Sequence, residues 1–405
     1  MPIDVRPYDG TARDFLAAAE TAFGEHLRDD DAAIFEPLLE LDRSIGTWDD
    51  NRLVGTASAF SFELTVPGGV LPAAGITMVG VHPTHRRRGA LRRMMRMQLD
   101  DVHERGEPLA ILWASEGSIY QRFGYGLSTL RARIGVPRGR STFGRPHAAS
   151  GEVRFVGVDE AKRLFPPVHD AVLPTRPGFF HRTPAFWDES LHDPEHWRHG
   201  AGAAFHVVHE VAGTPDGYAR YRIKDQWDDG GPNSTLMVNE IIATTPSAHL
   251  DLWRFLLDVD LIGKIEAWNI APDDPLILAV LEPRRLGLGL ADGIWLRVVD
   301  VASALAGRRY RADGQLVLEV RDEFCGWNAG RWSVRVEGGV PLVERTENAA
   351  DVACDITDLG AAYLGAFSFR QLADAARVNE LAPGGISRAD AIFGTERAPW
   401  CPKVF

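Results

Sequence analysis

The residues with most capacity for chemistry lie between Met78 and Arg93. An apolar run ending in Val79, Gly80 and Val81 passes into a basic turn, Arg86, Arg87, Arg88 and Gly89, which opens a helical pattern at Ala90, Leu91 and Arg92. The first amides of a helix have no acceptor within it and the helix dipole favours negative charge there, so such a junction can hold a pyrophosphate. Gly89 allows close approach of the backbone, and the arginines can add charge-assisted hydrogen bonds to phosphate oxygens. The preceding strand residues can offer main-chain donors and acceptors to an extended, amide-containing ligand, as an added strand would. Further on, Tyr125 follows a short helix-like segment, 118–123. With a reference pKa of about 10 its phenol keeps a proton at pH 7 and can give it to a departing anion; simple packing is the competing reading.

These groups need a scaffold, and the pattern from residue 2 to 136 is that of an α/β domain. Residues 3–6 read as a strand, 11–27 as a helix with Phe15, Leu16, Ala19 and Phe23 on one face, and 45–48 and 53–62 as a hairpin turning at 49–51. Residues 70–81 read as a strand, 90–104 as a helix and 109–114 as a buried strand. Pro, Gly, Ser, Arg and His without apolar period make 137–151 a linker. From 152 to 297 the α/β rhythm returns, with strands at 204–211, 217–224, 237–243 and 264–270 and a helix at 246–259. From 298 to 405 strands near 315–321, 332–337 and 352–356 and helical stretches from Leu359 and Phe369 give an α+β domain. A chain of 405 residues is expected to divide into two or three such domains.

Composition narrows the function classes. A net charge of −12 argues against a general nucleic-acid binder and favours cationic substrates. Cys325, Cys354 and Cys401 are too few and too far apart for a disulfide framework or a zinc site and are read as reduced. His82 and His85, two loop histidines without a nearby ligand set, are read as turn residues, so no metal is expected. The longest uncharged stretch, 64–85, is broken by Pro67, Gly68, Gly69, Pro72 and Gly75, which excludes a membrane span, and the first residues carry no export signal, so the cytoplasm is expected. Gly287 to Gly293 imitates a dinucleotide fingerprint with one residue too many in its last spacing and is read as a turn. The last eight residues, Ala398 to Phe405, are apolar and Pro-rich and read as a docked tail.

Val-x-Val-x-Pro followed by Arg-x-x-Gly resembles motif A of the GNAT acetyltransferases, in which the strand holds pantetheine and the turn holds the coenzyme A pyrophosphate. Leu91 stands where many of them have Gly or Ala. The run from His85 to Gly89, with Ala114 to Gly126 and Arg176 to Arg182 plus Trp187, closely resembles the Eis (enhanced intracellular survival) family along the whole chain. The resemblance implies a catalytic GNAT domain at 1–136, a second GNAT-like domain at 152–297 and a sterol-carrier-protein-like α+β domain at 298–405. No Arg-x-x-Gly loop follows the strand of the second, which is therefore expected not to hold coenzyme A in the same way. It further implies acetyl-CoA as co-substrate, acetylation of aminoglycosides or related polyamines, and a hexamer. Val79, Gly80, Val81, Arg86, Arg87, Arg88, Gly89, Ala90, Leu91, Arg92, Tyr120 and Gln121 are expected at the cofactor, with the Val79 amide facing the thioester carbonyl. By the same resemblance Tyr125 is the acid and the α-carboxylate of Phe405 the base. Glu25, His26 and Glu396 are weaker candidates for lining a cationic substrate site. A protein-lysine acetyltransferase and a non-catalytic acetyl-CoA- or lipid-binding protein are the alternatives.

Overall fold

The computed structural model describes residues 3–139 and 142–405. The chain divides into two compact units, one holding the residues through Thr129 with Gly293–Pro399 and Lys403–Phe405, the other Leu130–Asp292 with Trp400–Pro402.

The first unit begins with strand β1 (Asp4–Pro7) and helices α1 (Ala12–Phe23) and α2 (Asp29–Phe35). The Thr11 side chain caps α1 by accepting from the Asp14 amide, and Gly24 ends the helix at φ 85°, where a side chain would be strained. Strands β2 (Ile45–Asp49), β3 (Arg52–Val66) and β4 (Gly69–Val81) form an antiparallel meander, α3 (Ala90–Glu104) crosses, and β5 (Leu109–Trp113) returns parallel to β4. The short helix α4 (Gly117–Tyr120) leads to β6 (Gly126–Leu127).

In the second unit, β7 (Leu130–Pro137), β8 (Glu152–Val156), α5 (Val158–Val172), α6 (Pro184–Leu191), β9 (Phe205–Val211) and β10 (Thr214–Lys224) are followed by the small pair β11 (Trp227–Asp228) and β12 (Gly231–Pro232). Then come β13 (Ser234–Ala243), α7 (Pro246–Asp258), β14 (Ile262–Ile270), α8 (Leu276–Ala279) and β15 (Gly289–Asp292). The sheet order is β15-β7-β14-β13-β10-β9-β8, with β13 and β14 the parallel pair. Asp251 of α7 fastens the segment before β8, accepting from the Ser150 hydroxyl at 2.7 Å and facing His147 at 2.7 Å. Of the linker read over 137–151, residues 140 and 141 lie outside the described residues.

The chain then re-enters the first sheet as β16 (Ile294–Val298), giving the order β1-β2-β3-β4-β5-β16-β6. Two strands cross the expected boundaries. The first domain was expected to run to 136, but β7 lies in the second sheet; the second was expected to run to 297, but β16 pairs with β5 and β6 in the first. Each sheet takes one strand from the far side of the boundary, because β7 and β16 both have an apolar face and each is buried against its sheet.

The remainder of the first unit is α9 (Val301–Gly307), β17 (Gly314–Arg321), β18 (Gly330–Glu337), β19 (Val340–Arg345), β20 (Val352–Asp355), α10 (Ile356–Tyr363), α11 (Phe369–Asp374), β21 (Asn379–Glu380) and α12 (Gly385–Phe393). Its five-stranded sheet, β19-β18-β17-β20-β21, carries α12. Arg297 of β16, wholly buried, reaches Asp322 at 2.5 Å and ties this domain to the seven-stranded sheet that holds β16. Cys325, Cys354 and Cys401 are all buried free thiols. Among the described residues no helix is long and apolar enough to cross a membrane.

Candidate active site

The site begins where a ladder fails. β4 and β5 pair only at Ala73–Gly75 against Leu109–Ile111, and beyond Gly75 the strands part. Residues 73–76 of β4 are buried, whereas 77–81 are half-buried. Met78 sits at φ 51°, and the β3–β4 register shifts so that Gly80 faces Thr56 while Thr77 faces Ser58. This bulge turns β4 away from β5, and the Thr56 hydroxyl steadies it by donating to the Met78 carbonyl at 2.8 Å. The result is a strand edge over 77–81 without a β5 partner, and a backbone edge of this kind can take an extended ligand by main-chain hydrogen bonds. Gly80 is required here because a Cβ would stand 2.6 Å from the Cβ of Ala22 in α1.

The basic turn continues from this edge. His85 is held between Thr84 Oγ1 at 2.7 Å and Asp49 at 2.9 Å, and His82 contacts the Ala18 carbonyl at 3.2 Å; burial lowers the His82 pKa. Both histidines thus shape the turn. Gly89, at φ 82°, starts α3 without any side-chain cap, and a Cβ there would meet nothing within 4 Å. The first turn of α3 thus has no side-chain cap and open space beside Gly89, an arrangement that suits a pyrophosphate. The arginines divide in role. Arg86 donates to the carbonyls of Val81 and Ala22, which makes it part of the turn's frame. Arg92 lies over the Phe324 ring at 5.4 Å, and Arg88 stands 3.8 Å from Asp49. Arg87 is exposed, and its guanidinium makes no ion pair among the described residues. Ala90 is buried beneath the turn, and Leu91 is half-buried against the Ile45, Ala57 and Met94 cluster, which accounts for a large side chain at that position. A cleft of about 710 Å³ on the flank of α3, lined by Asp4, Arg43, Arg93, Met97 and Asp101 among others, includes none of residues 77–81.

Two tyrosines compete for the role of acid. Tyr125 is 0 % exposed, inside a cluster with Met95, Leu99, Phe123 and Trp295, and its hydroxyl is buried with no hydrogen-bond partner. Burial raises its pKa well above the ordinary tyrosine value. The left-handed Gly124, whose Cβ would collide with Arg297, turns the chain so that Tyr125 points inward. Val79, the residue expected at the thioester, packs against this same cluster, so Tyr125 belongs to the core that borders the proposed acetyl site but has no surface of its own. Tyr120, at the end of α4, is half-buried and meets Tyr125 edge-on at 5.9 Å. Burial, with the charge of Glu116, pushes its pKa up to about 12, so it is a phenol that stays protonated and retains surface. Gln121 follows it and is exposed.

The chain end also reaches this unit. The Trp113 indole at the end of β5 donates to the Lys403 carbonyl at 3.0 Å, and the Phe405 ring meets Phe62 of β3 edge-on at 4.9 Å. The docked tail expected from its composition is therefore present, anchored by two residues that sequence reasoning passed over. Glu25 and His26 are exposed in the turn after α1, and Glu396 is exposed in the third domain.

The second sheet repeats the parting of a parallel pair, β13 from β14, after Val238 and Ala267. Its chemistry differs. Helix α7 opens with Pro246, which has no amide hydrogen, and the Thr245 side chain accepts from the Ala248 amide at 3.1 Å. The residues past the ladder are filled by the chain itself, Asn269 donating to the carbonyls of Cys401 and Pro402 and accepting from the Trp400 indole at 2.8 Å.

Comparison with known proteins finds three matching segments, the second of which includes β16 although that strand pairs in the first sheet. Residues 6–128 and 178–298 each match a family described as an acetyltransferase (GNAT) domain, and 301–402 match the sterol carrier protein domain. An uncharacterized N-acetyltransferase of Streptomyces avermitilis is 43% identical over 98% of this chain and 96% of its own. N-acetyltransferase Eis of Mycobacterium tuberculosis is 33% identical over 94% of each chain. Among solved structures, Eis1 from Mycobacterium abscessus superimposes with a TM-score of 0.86 at 33% identity, covering 99% of this chain and 100% of that one.

Proposed function

Since the chain belongs to the Eis family of GNAT N-acetyltransferases, we propose that it moves acetyl from acetyl-CoA to an amine of a polycationic small molecule of the aminoglycoside type. The observation that carries this reading is the β4 edge at 77–81 running directly into the Gly89 start of α3. Acetyl-CoA supplies the acyl group as a thioester. The edge residues are suited to its pantetheine arm, the first amides of α3 with Arg87 and Arg88 to its pyrophosphate, and the Val79 amide to the thioester carbonyl oxygen.

The α-carboxylate of Phe405, directly or through water, takes a proton from the acceptor ammonium. The freed nitrogen bonds to the carbonyl carbon, the C–S bond breaks, and the departing sulfur takes the phenolic proton of Tyr120. The nitrogen's surplus proton leaves by way of solvent and restores the phenol. A cationic acceptor is favoured by the carboxylates of the α1–α2 segment. Asp29, Asp30 and Asp31 open α2, and burial foremost, with smaller contributions from the charges of Glu25 and Asp31, raises the Glu20 pKa. We also carry forward the hexamer, which sedimentation at six chain masses would support.

The experiment is thiol release from acetyl-CoA with aminoglycosides, linear polyamines and lysine peptides in parallel. Turnover confined to the aminoglycosides supports the reading. Turnover confined to lysine peptides would replace the acceptor class, and acetyl-CoA binding without turnover on any amine would overturn the catalytic one.

A further inference from the structure

Trp113 ends β5 two residues after that strand's last pairing with β4, Gly75 against Ile111, and it lies opposite Ile294 of β16. A ladder on one side thus fixes the indole, while β4 has turned away on the other. The Nε1 hydrogen goes to the carbonyl of Lys403 at 3.0 Å, and two residues later the Phe405 ring rests edge-on against Phe62 at 4.9 Å. Because its acceptor is main chain, the indole contact ignores which residue stands at 403 and responds only to that residue's place in the chain. Peptide units have fixed lengths and planes, so holding carbonyl 403 and ring 405 leaves the terminal carboxylate only the few torsions between them.

We propose that Trp113, with Phe62 as its counterpart, is a positioning residue that sets where the terminal carboxylate stands. This rests on reading that carboxylate as the base. Trp113 touches neither acceptor nor thioester in this account; it acts through the tail, so its loss changes proton removal and leaves acetyl-CoA binding alone.

The test is steady-state kinetics over a range of pH on the full chain and three variants: Trp113→Phe, which keeps a ring and loses the donor; Trp113→His, which keeps a ring N–H; and a chain with one glycine added after Phe405. Trp113→Phe is expected to lower kcat about ten- to a hundredfold with KM for acetyl-CoA unchanged, since small misplacements of a catalytic group cost on that order. The acid limb of kcat against pH moves with it, and Trp113→His recovers most of the loss. Wild-type kcat and an unmoved acid limb in Trp113→Phe, beside an inactive extended chain, would overturn the role of Trp113 and leave the base standing. Full kcat in the extended chain would overturn both. Calorimetric binding of acetyl-CoA checks the fold of each variant. If Trp113→Phe loses binding, Phe62→Leu, which frees the Phe405 ring without touching β5, carries the same expected and overturning results.

Discussion

Removing one hydroxyl at a time from Tyr120 and Tyr125 separates proton delivery from packing. The Tyr125 hydroxyl is wholly buried without a partner, and a polar group in that state has lost its hydration with nothing in exchange, at a cost of about 1–3 kcal/mol. Tyr125→Phe returns that penalty and keeps the ring in the cluster of Met95, Leu99 and Trp295. It is expected to leave kcat within about twofold and to raise the thermal midpoint by a few degrees, at about 2–4 °C per kcal/mol for domains of this size. Tyr120 behaves oppositely. With its pKa near 12 the phenol remains protonated from neutral pH to about pH 11, so it adds no alkaline limb to kcat below that range. Tyr120→Phe should lower kcat by about 10²- to 10⁴-fold, the usual contribution of a positioned acid, with little change in melting. Thiol release and differential scanning fluorimetry read both effects. A hundredfold loss in Tyr125→Phe beside an active Tyr120→Phe would refute the reasoning, and a destabilised Tyr125→Phe would refute the account of its hydroxyl.

Arg297→Met leaves the Asp322 carboxylate buried without its cation and should cost about 3–5 kcal/mol in urea unfolding; a loss below about 1 kcal/mol would contradict the pairing. Gly80→Ala presses a methyl to 2.6 Å from Ala22 and should cost about 1–3 kcal/mol and weaken acetyl-CoA binding, with Ala22→Gly restoring much of both. Arg87→Gln should raise KM for acetyl-CoA and reduce its salt dependence, while transfer from an acetyl thioester lacking the pyrophosphate is unchanged.

What could be read without the structure depended on how local the signal was. Helix α3 was expected at 90–104 and occupies Ala90–Glu104, since its apolar period and its Gly89 start lie within one stretch. The assignment of β7 and β16 to opposite sheets has no local trace, because an apolar strand reads alike in either sheet. Helix α5 contains Pro166 and Pro167, which locally signal a break, and no element was expected there. The different burial of Tyr125 and Tyr120 was not legible in the sequence: the left-handed Gly124 sends the next residue inward, whereas a helical turn over Gly117–Tyr120 ends on Tyr120. Trp113 looked like the end of a buried strand, and its partner is 290 residues further along the chain.

The return of β16 to the first sheet also orders events during synthesis. Until residues 294–298 leave the ribosome, β5 has an open edge where β16 will pair, and a nascent chain stopped at the end of β7 carries that edge exposed. The second sheet gains its seventh strand, β15, only a few residues earlier, so the two sheets close almost together although the first began long before.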